Sequence, residues 1–490
     1  MTGATTTATP VGDVPREEPG IGPAGLPVDT TLPDRVGVLV LGGGLAGAAA
    51  LLAAAEAGQY AVLLEKTGTF GGSTVRSAGL SAFVGTDEQA EQGITDSVEL
   101  LRQDLLETGG HVNDEALVDL YCEQQLDTYR WLKGHGVRYG HIHAASGQSA
   151  PRSHPSDTTA MLRSLFTAAG RLGARLVLGA DVQRILHDGT RVTGVVVEHA
   201  GGVREVLADA VVLATGGFSR DREMLERFAP QMAEALLAGG EGNHGDGLRM
   251  AMKLGAGLRD LPYVKGTYGI YHETHPGEDG TGILAVYKGA IAVNRAGRRF
   301  VDESIPYKAL GDASLAQPTA RTWQVFDATV MAASNDEVPI YDFGGRERAG
   351  MLEVADTIED LASRLGTDPG VLEATVADYN ERIASGEPDA FGRVHLVGGV
   401  GERTPIRTAP FYAQLSGTVV LATYCGVTVD TSMRVLDPFG EPIPRFYAAG
   451  ELVGGFHGAG YMTGTSIGKS AIFGRIAGTA ASAEESELEW

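Results

Sequence analysis

The sequence predicts an α/β fold: a discontinuous Rossmann-like nucleotide-binding domain, closed by both ends of the chain, with an inserted α+β domain. Three observations predict it. Val38-Leu-Val-Leu-Gly42-Gly-Gly44-Leu-Ala-Gly47 reads as a strand running through a glycine turn into a helix. Roughly 400 residues later, Phe446-Tyr-Ala-Ala-Gly-Glu451 leads through a second glycine-rich passage to Thr465-Ser-Ile-Gly468, again strand, glycines and helix. Between them, from about Thr267 to Ala422, the texture changes to short β-runs and amphipathic helices.

The first unit runs from Arg35 to Glu65. An apolar strand enters the glycine turn, an Ala-rich helix stops near Gly58, and a second strand ends at Glu65, 23 residues beyond Gly42. An acid at that distance can bind the ribose hydroxyls of a dinucleotide. The turn from Gly42 and Gly44 through Leu45, Ala46 and Gly47 lets backbone N–H groups approach a pyrophosphate at a helix N-terminus. Residues 95–135 read as amphipathic helices and 140–157 as a polar loop. His141, His143 and His154 lie in that loop without a carboxylate or cysteine to complete a ligand set, so no metal is expected. A helix over Thr158–Leu172 precedes β-runs at Arg175–Gly179, Val182–His187 and Val192–Glu198. The strand from Ala210 ends in Thr215-Gly216-Gly217, and Asp246-Gly247 opens a helix through Gly255. In the inserted part, Ala290–Val301 is hairpin-like, and Thr357–Leu365 and Pro369–Ser385 are helical. The expected division is a disordered tail over 1–33, a dinucleotide-binding domain over 34–266 and 423–490, and a substrate or cap domain over 267–422.

Composition narrows the function classes. A formal net charge of −23 disfavours nucleic acid and anionic membrane surfaces as partners. No run of 18 apolar residues occurs, and the Thr/Pro/Gly-rich beginning lacks the basic and apolar regions of a signal peptide. Two cysteines, Cys122 and Cys425, argue against a disulfide framework and fit a reducing, cytoplasmic compartment. No Cys-x-x-Cys-His haem attachment is present.

Gly42–Gly47 with Glu65-Lys66, Gly71-Gly72-Ser73-Thr74, Ala214-Thr-Gly-Gly-Phe218, Gly245-Asp-Gly247, Val293-Asn-Arg-Ala-Gly-Arg-Arg-Phe300 and Ala448-Ala-Gly-Glu451 together resemble the fumarate reductase/succinate dehydrogenase flavoprotein superfamily. The resemblance runs from about residue 35 to 480. It implies FAD in the discontinuous domain, covered by the cap, with Gly71, Gly72, Ser73 and Thr74 near the flavin and Glu451 near the ribitol. Ser466 and Ile467 would lie beside the pyrimidine end of the ring, at a helix N-terminus that favours the reduced, anionic form. Val182, Thr215, Gly216 and Asp246 complete the expected cofactor contacts. No histidine follows Ser73, so the FAD is expected to be non-covalent.

Read against the dicarboxylate enzymes of that superfamily, Tyr307 and Tyr461 stand where arginines would hold the substrate. Thr267 and a residue near Ala422 replace histidines. With those charges missing, the chain is more similar to the 3-ketosteroid dehydrogenase branch. Phe300-Val-Asp-Glu303-Ser-Ile-Pro-Tyr307 matches its Arg-Phe-x-Asn-Glu-Ser-x-Pro-Tyr pattern, and Tyr461 matches its C-terminal tyrosine. Two residues after that tyrosine the 1-ene enzymes of the branch typically carry glycine and the 4-ene (5α) type serine, so the Thr463 hydroxyl leans toward the 4-ene type. The resemblance places the amide donor at Thr465 where the branch has glycine, a departure expected to narrow the pocket against a steroid-sized substrate.

Desaturating a ketone needs a donor to the carbonyl, a base for the α-proton and a hydride acceptor. Tyr461 O–H and Thr465 N–H are the expected donors, and Thr463 and Tyr307 the candidate base and relay. A phenol with a pKa of about 10 accepts that proton only with help from its site or a relay. Tyr268, Tyr271, Tyr287 and Tyr424 are candidates for the cavity wall or the cap core. Arg152, Lys265 and Lys288 are candidate anchors for a substrate carboxylate, and Cys425 is read as a small buried residue. The expected function is FAD-dependent α,β-desaturation of a cyclic ketone, a 3-ketosteroid or a smaller oxocyclohexane-type compound, with an unidentified electron acceptor. A flavin-dependent ene-reductase of a conjugated enone or acid and a non-catalytic flavoprotein are the alternatives.

Overall fold

The computed structural model describes residues 28–270, 282–336, 338–397 and 400–484. The expectations for residues 1–27 and for Tyr271 lie outside the described residues. Val28 and Asp29, assigned to the tail from sequence, instead pair in parallel with Leu176 and Val177 at the edge of a sheet.

That sheet has nine strands. Its order is Val28–Asp29, Arg175–Leu178, Ala61–Glu65, Arg35–Leu41, Gly202–Leu213, Pro442–Ala448 and Arg434–Leu436, with the hairpin Asp181–His187/Val192–His199 joined to Gly202–Leu213. Arg35–Leu41 and Ala61–Glu65 are buried nearly throughout, which is why they read as unbroken apolar runs instead of alternating ones. The register aligns Leu64, Leu41, Leu213 and Ala448 in one row across four parallel strands. All four strands therefore release their chains at one edge, where open α/β sheets bind ligands.

The helix Leu45–Glu56 is buried from Leu45 to Ala55 and packs against the helices Thr158–Arg171 and Thr465–Ala481. Its alanines meet glycines on the last helix. A Cβ on Gly474 would fall 2.3 Å from the Ala46 carbonyl oxygen, and one on Gly478 2.2 Å from that of Ala50. Larger side chains there would force the two helices apart.

A second, six-stranded sheet is organised around Phe411–Val420. This strand pairs antiparallel with Thr267–Ile270, Thr322–Asp327 and Glu353–Ala355, and parallel with Leu236–Leu237. Leu236–Leu237 precedes the stretch 267–422 expected to form a separate domain, yet it pairs into this sheet. One hydrophobic core draws on residues from Leu32 to Val264 and from Val420 to Ala481, while two others lie between Tyr268 and Ala413. The expected hairpin at 290–301 is a strand, Ile291–Asn294, whose main partner is Thr322–Asp327. The returning chain adds only a bridge at Arg299. Arg299 then pairs with buried Glu303 (2.6 Å) and Asp389 (2.8 Å), and Arg393 also reaches Glu303 (3.2 Å). This buried network pins the chain just before the helix Tyr307–Leu315 begins.

Candidate active site

A cavity of about 930 Å³ extends from the strand-end row of the first sheet to the second sheet. Of the residues expected at the cofactor, all but Gly47 and Gly71 border it. Those two hold the turns together instead. A Cβ on Gly47 would lie 1.9 Å from the Gly42 carbonyl oxygen, and Gly71 donates its N–H to the Gly43 carbonyl at 3.0 Å. Thr74 Oγ1 accepts the Leu45 N–H at 3.1 Å, joining the second glycine turn to the helix start. Glu65 accepts the N–H groups of Gly43 (2.7 Å) and Thr67 (2.8 Å), so the acid that ends the second strand also shapes the first turn. Lys66 is ion-paired with Asp246 at the cavity edge.

The cavity wall fits a polar, extended cofactor. Gly42 has φ +110°, and a Cβ there would strike the Ala214 carbonyl oxygen at 2.4 Å. Thr215 Oγ1, Asn243 Oδ1 and His457 Nδ1 are buried polar atoms without a partner among the described residues, and all three residues border this cavity. Buried polar groups are otherwise almost always satisfied. Glu451 accepts the Thr423 N–H at 2.9 Å and Asn243 Nδ2–H at 3.3 Å. Burial raises its pKa against these hydrogen bonds.

At the other end stand the tyrosines. Tyr461 Oη accepts the Gly464 N–H at 3.2 Å at the start of the helix Thr465–Ala481, which leaves its own proton for a ligand. Burial raises the Tyr461 pKa, and hydrogen bonds from Ser466 and Gly464 oppose the rise. Tyr307 Oη lies 3.4 Å from Thr463 Oγ1, and burial and the nearby Tyr461 raise its pKa. Thr463 is held by its backbone: its N–H donates to the Ser146 carbonyl (3.0 Å) and its carbonyl accepts from Gln148 (2.8 Å). Tyr424 stacks on Tyr461 with ring centroids 4.7 Å apart and has φ +60°, a strained conformation for a bulky residue.

Thr465 does not join them. It is fully buried off the cavity wall, its N–H donates to the Met462 carbonyl at 3.3 Å, and its hydroxyl bridges Met462 O (2.6 Å) and His457 Nε2 (3.1 Å). The donor arrangement expected at Thr465 is spent inside the helix cap. Of the expected carboxylate anchors, Arg152 is buried and held by Asp96 (2.8 Å) and Asp104 (2.5 Å), Lys265 pairs with Asp312 (2.5 Å), and Lys288 lies over the Tyr341 ring. None of the three borders the cavity. Tyr268, Tyr287 and Tyr424 do border it.

His154 is buried between Thr86 Oγ1 and the Arg152 carbonyl, and among the described residues no group of three His, Cys, Asp or Glu could hold a metal. Among the described residues, no helix is long and apolar enough to cross a membrane. Both cysteines are buried and free.

Sequence reasoning passed over two amines and a histidine. Lys308, beside Tyr307, is 8% exposed, and burial pulls its pKa down to about 7. Lys469 donates to the Val453 carbonyl at 2.7 Å; burial lowers its pKa to about 8, with Glu451 and Asp260 pulling the other way. His457 packs edge-on to Tyr424, and burial keeps its ring neutral. The only signal for Lys308 was adjacency to a singled-out tyrosine.

A strand–glycine turn–helix site at the strand ends of a parallel sheet is that of a dinucleotide-binding α/β fold. The chain belongs to the FAD-binding family, whose FAD binding domain model matches residues 37–467. A probable fumarate reductase of Shewanella frigidimarina (strain NCIMB 400) is 33% identical over 454 residues, 90% of this chain and 74% of the relative. The open form of a flavocytochrome c3 fumarate reductase superposes with a TM-score of 0.81 at 32% identity, covering 92% of this chain and 78% of that one. A 3-ketosteroid Δ4-(5α)-dehydrogenase from Rhodococcus jostii RHA1, solved with 4-androstene-3,17-dione, superposes with a TM-score of 0.74 at 26% identity, covering 93% and 99%. The chain is thus an FAD-dependent oxidoreductase of a family acting on C=C bonds.

Proposed function

We propose that this enzyme desaturates the α,β C–C bond of a cyclic ketone. The observation that carries the reading is the hydroxyl cluster of Tyr307, Tyr424, Tyr461 and Thr463 at the end of the cavity away from the glycine turns. Among the described residues the one arginine bordering the cavity, Arg76, is paired with Glu241. A dicarboxylate would meet no guanidinium at the hydroxyl end. In this reading the FAD domain is the discontinuous Rossmann-like part, 267–422 is the cap, and the FAD is non-covalent. The turn 42–46 receives the pyrophosphate, Glu65 the ribose, Glu451 the ribitol, and Ser466–Ile467 the pyrimidine end.

When bound, FAD would supply the two-electron chemistry, as the hydride acceptor for the β-hydrogen. Tyr461 donates its O–H to the ketone oxygen and so stabilises the developing enolate, while the Gly464 N–H holds its oxygen in place. Thr463 and Tyr307 relay the α-proton as a pair: one hydroxyl accepts it from carbon while the other gives up its own proton to solvent, so that neither is left charged. Burial makes an isolated Tyr307 phenolate costly, so the proton is passed along the 3.4 Å contact and not stored on one hydroxyl.

The experiment is anaerobic mixing of the yellow holoprotein with saturated 5α-3-ketosteroids, substituted cyclohexanones and succinate. Bleaching by a ketone is expected, and bleaching by succinate alone overturns the reading. A second reading, reduction of a conjugated enone or acid, is favoured by the fumarate reductase named among the relatives. The same groups serve both directions. Oxidation of the reduced protein by enones, with no bleaching by saturated ketones, selects it.

A further inference from the structure

The positions read against the dicarboxylate enzymes leave the substrate end without a cation, and a neighbouring position restores one. Lys308 borders the cavity, and its Nζ donates to Thr267 Oγ1 at 2.6 Å and to Tyr424 Oη at 3.3 Å. It stands 5.2 Å from the ring centroid of Tyr424, 5.4 Å from that of Tyr307 and 5.6 Å from that of Tyr461. Thr267 is itself one of the positions where a dicarboxylate enzyme would carry a histidine.

This amine has no carboxylate partner among the described residues. Asp312, one turn along the same helix, is taken by Lys265. The other titratable groups around it are Tyr307 on its own helix, Tyr268 on the adjoining strand, and Tyr424, Tyr461 and neutral His457 across the cavity. Lys469 differs, since it is tied to a carbonyl and sits in the field of Glu451 and Asp260. An ammonium has three donors, and a buried one without a counter-ion costs stability. An anionic ligand meeting Nζ and the two hydroxyls would supply the missing charge.

We propose that Lys308, Thr267 and Tyr424 form a carboxylate-binding subsite, so that the substrate is a cyclic ketone bearing a carboxylate and not a neutral steroid. This inference rests on the ketone-desaturase reading for the ketone and on Lys308 for the carboxylate. The amine titrates near neutrality until an anion arrives, so the carboxylate is held best below about pH 7, where it is protonated.

The test is calorimetric titration of the holoprotein with 4-oxocyclohexane-1-carboxylate, its carboxamide, and cyclohexanecarboxylate, which has no ketone. It uses wild type, Lys308→Met and Lys308→Gln at pH 6.5 and 9. The acid is expected to bind about 10- to 100-fold more tightly than the amide in wild type at pH 6.5, as for one charge-assisted hydrogen bond. That preference should vanish in either variant and shrink at pH 9, while amide affinity stays within about threefold. Equal binding of acid and amide by wild type, or an unchanged preference in the variants, overturns the subsite. Both variants are checked for retained flavin, and the wild-type comparison decides alone if neither folds. If the ketone reading alone is wrong, cyclohexanecarboxylate still binds in a Lys308-dependent way while no cyclic ketone bleaches the flavin. If the subsite alone is wrong, neutral ketones bleach the flavin and acids bind no better.

Discussion

Tyr461→Phe separates the chemistry of the phenol from its packing. The substitution keeps the ring that stacks on Tyr424 at 4.7 Å and removes only the oxygen. Two losses follow. The Gly464 N–H, in a buried residue, and the Ser466 donors lose their acceptor, at a cost to stability of about 1–3 kcal/mol. The ketone oxygen loses its donor, and removal of one such donor costs about 2.7–4 kcal/mol of transition-state stabilisation, or roughly 100- to 1,000-fold in kcat. Steady-state turnover with a saturated cyclic ketone, flavin-to-protein ratio and a denaturation curve, measured on the same preparation, keep the two effects apart. The expected variant retains FAD, unfolds at slightly lower denaturant and turns over at least about 100-fold more slowly. An unchanged kcat/KM in a fully flavinated variant refutes the role of Tyr461. A rise in KM with kcat intact shows a group that binds ground and transition states alike.

Tyr307→Phe and Thr463→Val should each lower kcat, and the double variant should be little worse than the more damaged single one, because the 3.4 Å pair works as a unit; fully additive losses in a double-mutant cycle would separate their roles. For Lys308 the sign of the pH effect follows from its lowered pKa: the unfolded chain binds more protons between about pH 7 and the free value of 10.5, so stability rises with pH across that window. Without substrate, Lys308→Met should therefore be more stable than wild type at pH 7, by up to a few kcal/mol, with the gap closing toward pH 10.5 in denaturation midpoints. Arg152→Met should cost about 3–5 kcal/mol by stranding Asp96 and Asp104 in the interior, while leaving acid-over-amide preference intact in whatever holoprotein folds.

What the sequence reveals here tracks how local the determinant is. Leu41 to Gly47 is legible because strand, turn and helix follow one another within a dozen residues. Pro369–Ser385 is legible because Asp368 caps it, Pro369 opens it and Gly386 ends it. Phe411–Val420 escaped notice because it is buried on both faces and carries Gln414, Ser416 and Gly417. Ser416 is satisfied by Gln324, 92 residues away (2.9 Å). Arg152 looked like a free anchor because Asp96 and Asp104 reach it only across the fold. Thr465 looked like a donor because a count of residues does not say that its N–H closes onto Met462 at the helix start. Lys308 was hidden by the very comparison that exposed Tyr307: counting the positions of missing arginines overlooks an amine that enters the same space one residue later.

The measurement that tests the ketone chemistry most directly is a single anaerobic turnover of the oxidised holoprotein with excess 4-oxocyclohexane-1-carboxylate, following flavin absorbance and the mass of the organic product. Loss of the oxidised flavin spectrum together with one conjugated enone, two hydrogens lighter, per flavin is the predicted result. An unbleached flavin with every saturated cyclic ketone tried, or bleaching without any enone, contradicts it.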